Sequence, residues 1–307
     1  MNDLSVVEKA PEWQRLKAMV LDSVSSPITR RVYNMALDEF IAWFRQEPHP
    51  GFSKATVNAW RVSLEARGLG SSSISVRMSA VRKLAAEAAD NGLLAPELAA
   101  GIIRVKGVKS TGVRVGNWLS LSQAQDLLSA PDIATLRGLR DRAMLAVLLG
   151  CGLRRSEVAA LSFPHIQQRD GRWCVVDLVG KHGRVRTAPL PTWVKVAIDS
   201  WTSAAGLADG RVFRPVTRTQ RLGSECLGEK VVWQMLQQYG EAVGIPGIAP
   251  HDLRRTCAKL CRAAGGELEQ IQLRLGHASV QTTERYLGTK QDLVHAPNDA
   301  IKLSIVN

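Results

Sequence analysis

Seven side chains in the second half of the chain have types and spacings that suit chemistry on a phosphodiester. His251 and Arg254 stand three apart in His-Asp-Leu-Arg-Arg-Thr, His277 follows a Leu-Gly pair, and Tyr286 closes Thr-Thr-Glu-Arg-Tyr nine residues later. Upstream, Gly152-Leu-Arg154-Arg155-Ser-Glu157 supplies another arginine with an acid three residues on, and Lys181 lies in Gly-Lys-His-Gly. Guanidinium groups match the non-bridging oxygens of a phosphate as a fork and stay charged. A phenol can attack phosphorus, but with a pKa of about 10 it is less than about 1% ionised at pH 7, so it needs a base and a positive field. A lysine is a competent acid for a departing alkoxide. Successive residues on a helix point about 100° apart, so Arg154 and Arg155 cannot both face one phosphate, nor can Arg254 and Arg255.

These groups need elements to hold them. Hydrophobic spacing and start and stop signals predict helices from Pro11 to about Val24, from Pro27 through Phe44, from Ser53 to Gly68, and from the Ser71–Ser73 run to Asn91-Gly92. Four such helices make a small bundle, taken as a domain over residues 1–100. Residues 101–117 hold four glycines and the basic side chains Arg104, Lys106, Lys109 and Arg114, and read as an extended basic linker able to touch phosphate. Helices are predicted again from Ser122 and over Thr135–Leu149, with Gly150 and Gly152 breaking the chain before a helix carrying Arg154 and Glu157. Segments 165–169, 173–179 and 184–189 alternate as strands, with Asp170-Gly171 and Lys181-His182-Gly183 as their turns. Helices follow at about 191–204, 228–243, 251–264, 267–275 and 279–287. The fold class is therefore mostly α with a small antiparallel β-sheet: an N-terminal helical bundle and a mixed α/β domain over 118–307, ending in a tail over 288–307.

Composition narrows the partner. The 307 residues carry 40 Lys and Arg against 28 Asp and Glu, a net charge of +12, and both halves share the excess. That balance favours a polyanion, and nucleic acid is the usual one. Neither a long apolar run nor a signal-peptide pattern is present, so the expected location is the cytoplasm and no membrane partner is expected. The five cysteines lack the spacing of a zinc site and read as reduced thiols packed as small apolar residues, Cys257 and Cys261 lying one helical turn apart. No Walker loop, dinucleotide fingerprint or acidic cluster stands out, so no cofactor and no metal are expected.

In this order and spacing, the motifs resemble the tyrosine recombinase (phage integrase) family, strongly over residues 118–286. The resemblance implies roles. Tyr286 becomes the nucleophile, Arg154 and Arg254 the phosphate clamps, His251 the acceptor of the tyrosine proton, His277 a further donor to phosphate, and Lys181 the general acid at the 5′ oxygen. Glu157 becomes a support that orients a basic group. Arg155 and Arg255 are left as backbone-phosphate or surface residues, and Tyr33 and Tyr239 as structural. The implied enzyme joins DNA through a 3′-phosphotyrosine without ATP and exchanges strands by a four-way junction. It works as a homotetramer on two duplex sites with inverted repeats. Only about ten residues precede the first helix, so the simpler two-domain, Xer-like architecture without an arm-binding domain is expected. A type IB topoisomerase-like strand transferase and a catalytically idle DNA-binding protein are the alternatives. Residues 299–307 alternate apolar and polar, which reads as a short strand or a terminal helical turn. Such a strand would add to the edge of the 165–189 sheet, resembling the trans-packed tails of the family.

Overall fold

The computed structural model of the protein describes residues 10–46, 49–108, 117–180, 183, 185–223, 226–276 and 279–287, with the backbone alone at 10–12, 280, 285 and 286. Lys109, Arg114, Lys181, His277 and the tail over 288–307 lie outside these residues, as does the proposed docking of that tail. The chain divides into two compact units, Met1–Arg114 and Val115–Asn307.

The first unit contains α1 (Ala10–Asp22), α2 (Pro27–Gln46), α3 (Lys54–Ala66), α4 (Ser71–Asp90) and α5 (Pro96–Ile103). Its helices are amphipathic, and their apolar stripes meet around Trp13, Leu37, Phe40, Trp60, Met78 and Leu84, each 2% exposed or less. Trp13 and Trp60 meet Phe40 edge-on at 6.2 and 5.7 Å. Ser53 caps α3 by accepting from the Thr56 amide. The fifth helix differs from the sequence expectation. Pro96 opens it at the first helical turn, and it takes in Gly101–Ile103, where the glycine and charge content predicts an extended linker. The reason is burial: Ile102 and Val105 pack into the same core as α4, and local composition carries no trace of that contact.

The second unit is built on α7 (Leu136–Cys151), which is buried along most of its length. Around it lie α6 (Leu121–Ser129), α8 (Arg155–Ala160), α9 (Thr192–Ala204), α10 (Glu229–Ala242), α11 (Pro250–Ala263), α12 (Leu268–Leu275) and α13 (Val280–Leu287). The sheet contains β1 (Ile166–Arg169), β2 (Arg172–Val179) and β3 (Val185–Pro189) in that order, all antiparallel. Val175 pairs with Ile166 on one side and Ala188 on the other. The β1–β2 turn uses Asp170 and Gly171 at φ 49° and 72°, as the Asp-Gly pair predicts. Gly150 does not break the chain. It lies inside α7, where a β-carbon would come within 2.3 Å of Val194 on α9, so its small size serves helix packing. Gly152 alone ends the helix, at φ 62°.

Candidate active site

Two segments of the second unit converge, and each contains a left-handed glycine that ends a helix. The first runs from the end of α7 into α8. Gly152 turns the chain beside Leu275 and Cys257, whose atoms would stand 3.1 and 3.3 Å from an added β-carbon. The turn puts Arg154 at the N-cap of α8. Its backbone amide donates to Glu157 Oε2 at 2.7 Å and its Nη1 donates to Oε1 at 2.8 Å. A second guanidinium completes the group: Arg186 of β3 donates from Nη1 and Nη2 to the same two oxygens at 2.8 and 2.7 Å. Glu157 and Arg186 are nearly enclosed, at 8% and 7% side-chain exposure, whereas Arg154 is 34% exposed. Burial alone would raise the Glu157 carboxyl. The hydrogen bonds from Arg186 and from the Arg154 amide, with the Arg186 charge, outweigh it and bring the carboxyl down to about 2. Glu157 is therefore a fixed anion that leaves Arg154 as the open member of the trio.

The second segment runs from α11 through α12 to α13. Pro250 opens α11, which presents His251 and Arg254 three apart, on one face. Arg254 is 2% exposed. Its Nη1 donates to the Gly152 carbonyl at 2.5 Å and its Nη2 to the Leu275 carbonyl. Arg186 reaches the same turn, with Nε donating to the Arg274 carbonyl at 3.0 Å. Arg274 returns the tie, donating from Nη2 to the Gly150 carbonyl. Gly276, at φ 64°, closes α12 so near Arg186 that a β-carbon would lie 2.7 Å from its Cδ. Arg254 and Arg274 thus join the end of α7 to α12, and Arg186 joins α12 to Glu157 of α8. Partial burial of its ring, then the positive charges of Arg254, Arg255 and Arg154, lower His251 from its ordinary 6.5 despite the attraction of Asp252. That shift favours the neutral imidazole, the form that can accept a proton.

The structure brings Arg154, Glu157, His251 and Arg254 to one region. His277 directly follows the Gly276 turn, and Lys181 lies between the paired ends of β2 and β3; both are outside the described residues. Tyr286 belongs to α13, which Thr283 and Leu287 anchor at 0% and 5% exposure and which begins with Ser279 accepting from the Thr282 amide. Arg155 reaches across to Glu229 of α10 at 3.2 Å as an exposed pair. Arg255 lies part-buried on α11. Arg104 and Lys106 belong to the first unit, where they line a shallow cleft of about 330 Å³ with Lys54, Asn58 and Arg61. Tyr239 is engaged elsewhere: its hydroxyl donates to buried Asp141 at 3.1 Å, and burial with the Asp141 charge holds it well above the ordinary tyrosine range. Sequence reasoning missed Arg186 and Arg274. Arg186 had a signal, because it alternates in phase with Ala188 on the inward face of β3. Arg274 had none beyond its place before Leu-Gly.

Comparison with known proteins converges on one family. The phage integrase family matches residues 117–292, and the phage integrase N-terminal SAM-like domain matches residues 15–92. Tyrosine recombinase XerD of Pseudomonas aeruginosa is 28% identical over 279 residues, which are 88% of this chain and 90% of that protein. Tyrosine recombinase XerC of Salmonella typhi is 27% identical over 288 residues, 91% and 90% of the two chains. In fold, the chain is similar to a lambda integrase dimer bound to a COC′ core site, with a TM-score of 0.71 at 17% identity over 92% of this chain and 79% of that one. It is also similar to the XerH site-specific recombinase in its post-cleavage complex with a palindromic difH substrate, with a TM-score of 0.67 at 17% identity, over 84% and 76%. With more than half of its length matched by that family's catalytic region, the chain belongs to the phage integrase family, the tyrosine recombinases, enzymes that break and rejoin DNA.

Proposed function

We propose that this recombinase cleaves each strand of a duplex target through Tyr286. The phenol oxygen bonds to phosphorus while the bond to the 5′ oxygen breaks. His251 takes the phenolic proton, and Lys181 supplies one to the departing 5′ oxygen. Reversal by a 5′ hydroxyl from a partner duplex rejoins the strand and produces a four-way junction. Arg154 faces the phosphate, Arg254 adds charge while holding the two segments together, and His277 donates to a phosphate oxygen. The observation that carries this reading is the Arg154–Glu157–Arg186 group: a buried anion holds one guanidinium half-open while Arg254 ties its turn to the segment bearing His251 and leading to His277. The partner is duplex DNA. Assembly as a homotetramer on two inverted-repeat sites, in the cytoplasm, belongs to the same proposal, as does a division at a basic linker between a DNA-clamping helical domain and the catalytic domain.

The test is covalent capture on a nicked suicide duplex. The intact protein is expected to give a denaturant-resistant adduct and, on paired sites, a junction. Tyr286→Phe is expected to bind DNA with the same affinity and salt dependence, because phosphate contacts dominate both, and to give no adduct. An adduct from Tyr286→Phe overturns the nucleophile; adduct without junction leaves a topoisomerase-like strand transferase.

A further inference from the structure

Arg274 presents an unusual charge problem. It is half-buried, its Nε is buried without a hydrogen-bond partner, and no carboxylate among the described residues pairs with it. Its Nη1 stands 3.0 Å from Cys261 Sγ on α11, and its Nη2 is spent on the Gly150 carbonyl. Among the described residues, the ionisable groups acting on it are thiols: Cys257 and Cys261 of α11 and Cys151 of α7. A half-buried guanidinium is costly without a counter-anion, so one of these thiols is the candidate. Cys151 is fully enclosed, and burial pushes its thiol up to about 12, with Cys174 of β2 adding to the rise. Cys257 is also buried, and its hydrogen bond to Cys261 with burial raises it well above the ordinary thiol. Cys261, one turn later, is only partly enclosed. The Cys257 hydrogen bond, working against partial burial, and then the Arg274 charge bring its thiol well below the ordinary range.

We propose that Cys261 is a modification site: a thiolate paired with Arg274 that reacts with hydroperoxides and small electrophiles. In the oxidation, sulfur attacks the terminal peroxide oxygen. An S–O bond forms, the O–O bond breaks, and the leaving oxygen takes a proton from water. Sulfur gives two electrons to the peroxide and becomes a sulfenic acid. Cys257 is a poor resolving group, since β-carbons four apart on a helix lie ~5–6 Å from each other and a disulfide requires about 3.5–4.5 Å. The product therefore persists as the sulfenic acid. Oxidation removes the anion from Arg274, whose guanidinium holds Gly150 and whose carbonyl holds Arg186, so it loosens the join between the two segments of the site. This coupling to cleavage rests on the recombinase reading; the reactivity does not.

Two measurements separate these. First, the folded protein is labelled with iodoacetamide from pH 5 to 9 and each cysteine followed by peptide mass spectrometry. Cys261 is expected to label with a midpoint below pH 7.5, under the roughly 8.5 of a free thiol in solution, and exposed Cys226 shows that the reagent is active. The midpoint is independent of how easily the reagent enters. Arg274→Lys, which keeps the charge, is expected to hold the Cys261 midpoint low, and Arg274→Gln to raise it measurably. A Cys261 midpoint of 8 or above, or no labelling in the folded protein, overturns the proposal whatever the enzyme does. Second, in a Cys226→Ala background, peroxide is expected to give a dimedone adduct at Cys261 and to slow covalent DNA capture at least fivefold, reversibly with dithiothreitol. Persistence of that peroxide effect in Cys261→Ala overturns the coupling, and a dimedone adduct without slowed capture overturns it equally.

Discussion

His251 lies in the first turn of α11 beside several positive charges, and its proton affinity sets an acid limit on cleavage. Arg254, Arg255 and Arg154 all favour its neutral form. Cleavage is therefore expected to hold as pH falls through 6.5 and to decline only below it. Arg255→Ala removes one of those charges and is expected to move the limit upward; a pH profile of single-turnover adduct formation measures both. An unchanged limit would leave Arg255 with only a DNA contact. Lys181 carries the other proton. Lys181→Ala is expected to be slow on ordinary DNA and largely restored on DNA with a 5′-bridging phosphorothiolate, whose thiolate leaves unprotonated. Failure of that rescue, with binding intact, would assign Lys181 to holding phosphate.

At the scale of elements, Glu157 and Arg186 make a join that stability reports directly. A carboxyl held at about 2 against an ordinary 4.5 contributes on the order of 3 kcal/mol when ionised. Because the folded value is the lower one, that contribution is complete above pH 4.5 and is lost as pH falls from there through 2. Arg186→Met strands the buried carboxylate and is expected to destabilise the second unit by about 3–5 kcal/mol at pH 7. Glu157→Gln with Arg186→Met is expected to recover part of that loss. Urea unfolding of the intact protein, Glu157→Gln, Arg186→Met and the double variant at pH 7 and at pH 3.5 checks the cycle; equal stabilities at pH 7 would refute the join. Most elements here were legible in the sequence, because α2, α4 and α11 carry 3.6-residue stripes and β1 and β2 flank an Asp-Gly turn. Arg154, Glu157, His251 and Arg254 were legible because their motifs are local. Arg186 was not singled out, because its partner Glu157 lies 29 residues away; α5 was missed although Pro96 marks its start, because the glycines and charges from Gly101 onward mask the burial of Ile102 and Val105 against the neighbouring α4.

For the whole molecule, the positive excess is spread over both units, so affinity is expected to fall steeply with salt for either unit's contacts. Arg104 and Lys106 of the first unit form a basic cleft with Lys54 and Arg61. The C-terminal residues are proposed to act between protomers. Deletion of 299–307 is expected to leave binding of one protomer to a half-site nearly unchanged while weakening higher assembly and disturbing cleavage. Gel-shift analysis on single and paired sites measures the first two, and suicide capture the third. Unchanged assembly and cleavage would sink the idea.

The joining of α7 to α12 has an electrostatic consequence. A helix ends in carbonyls with no partner of their own and carries roughly half a negative charge there. Both of these helices end at the site proposed to receive a phosphodiester, an arrangement that would by itself repel it. The carbonyls of Gly150, Gly152, Arg274 and Leu275 each accept from a guanidinium instead. Arg186, Arg254 and Arg274 thus offset the negative ends of two helix dipoles, and a corner of the fold that would repel an anion is freed to accept one.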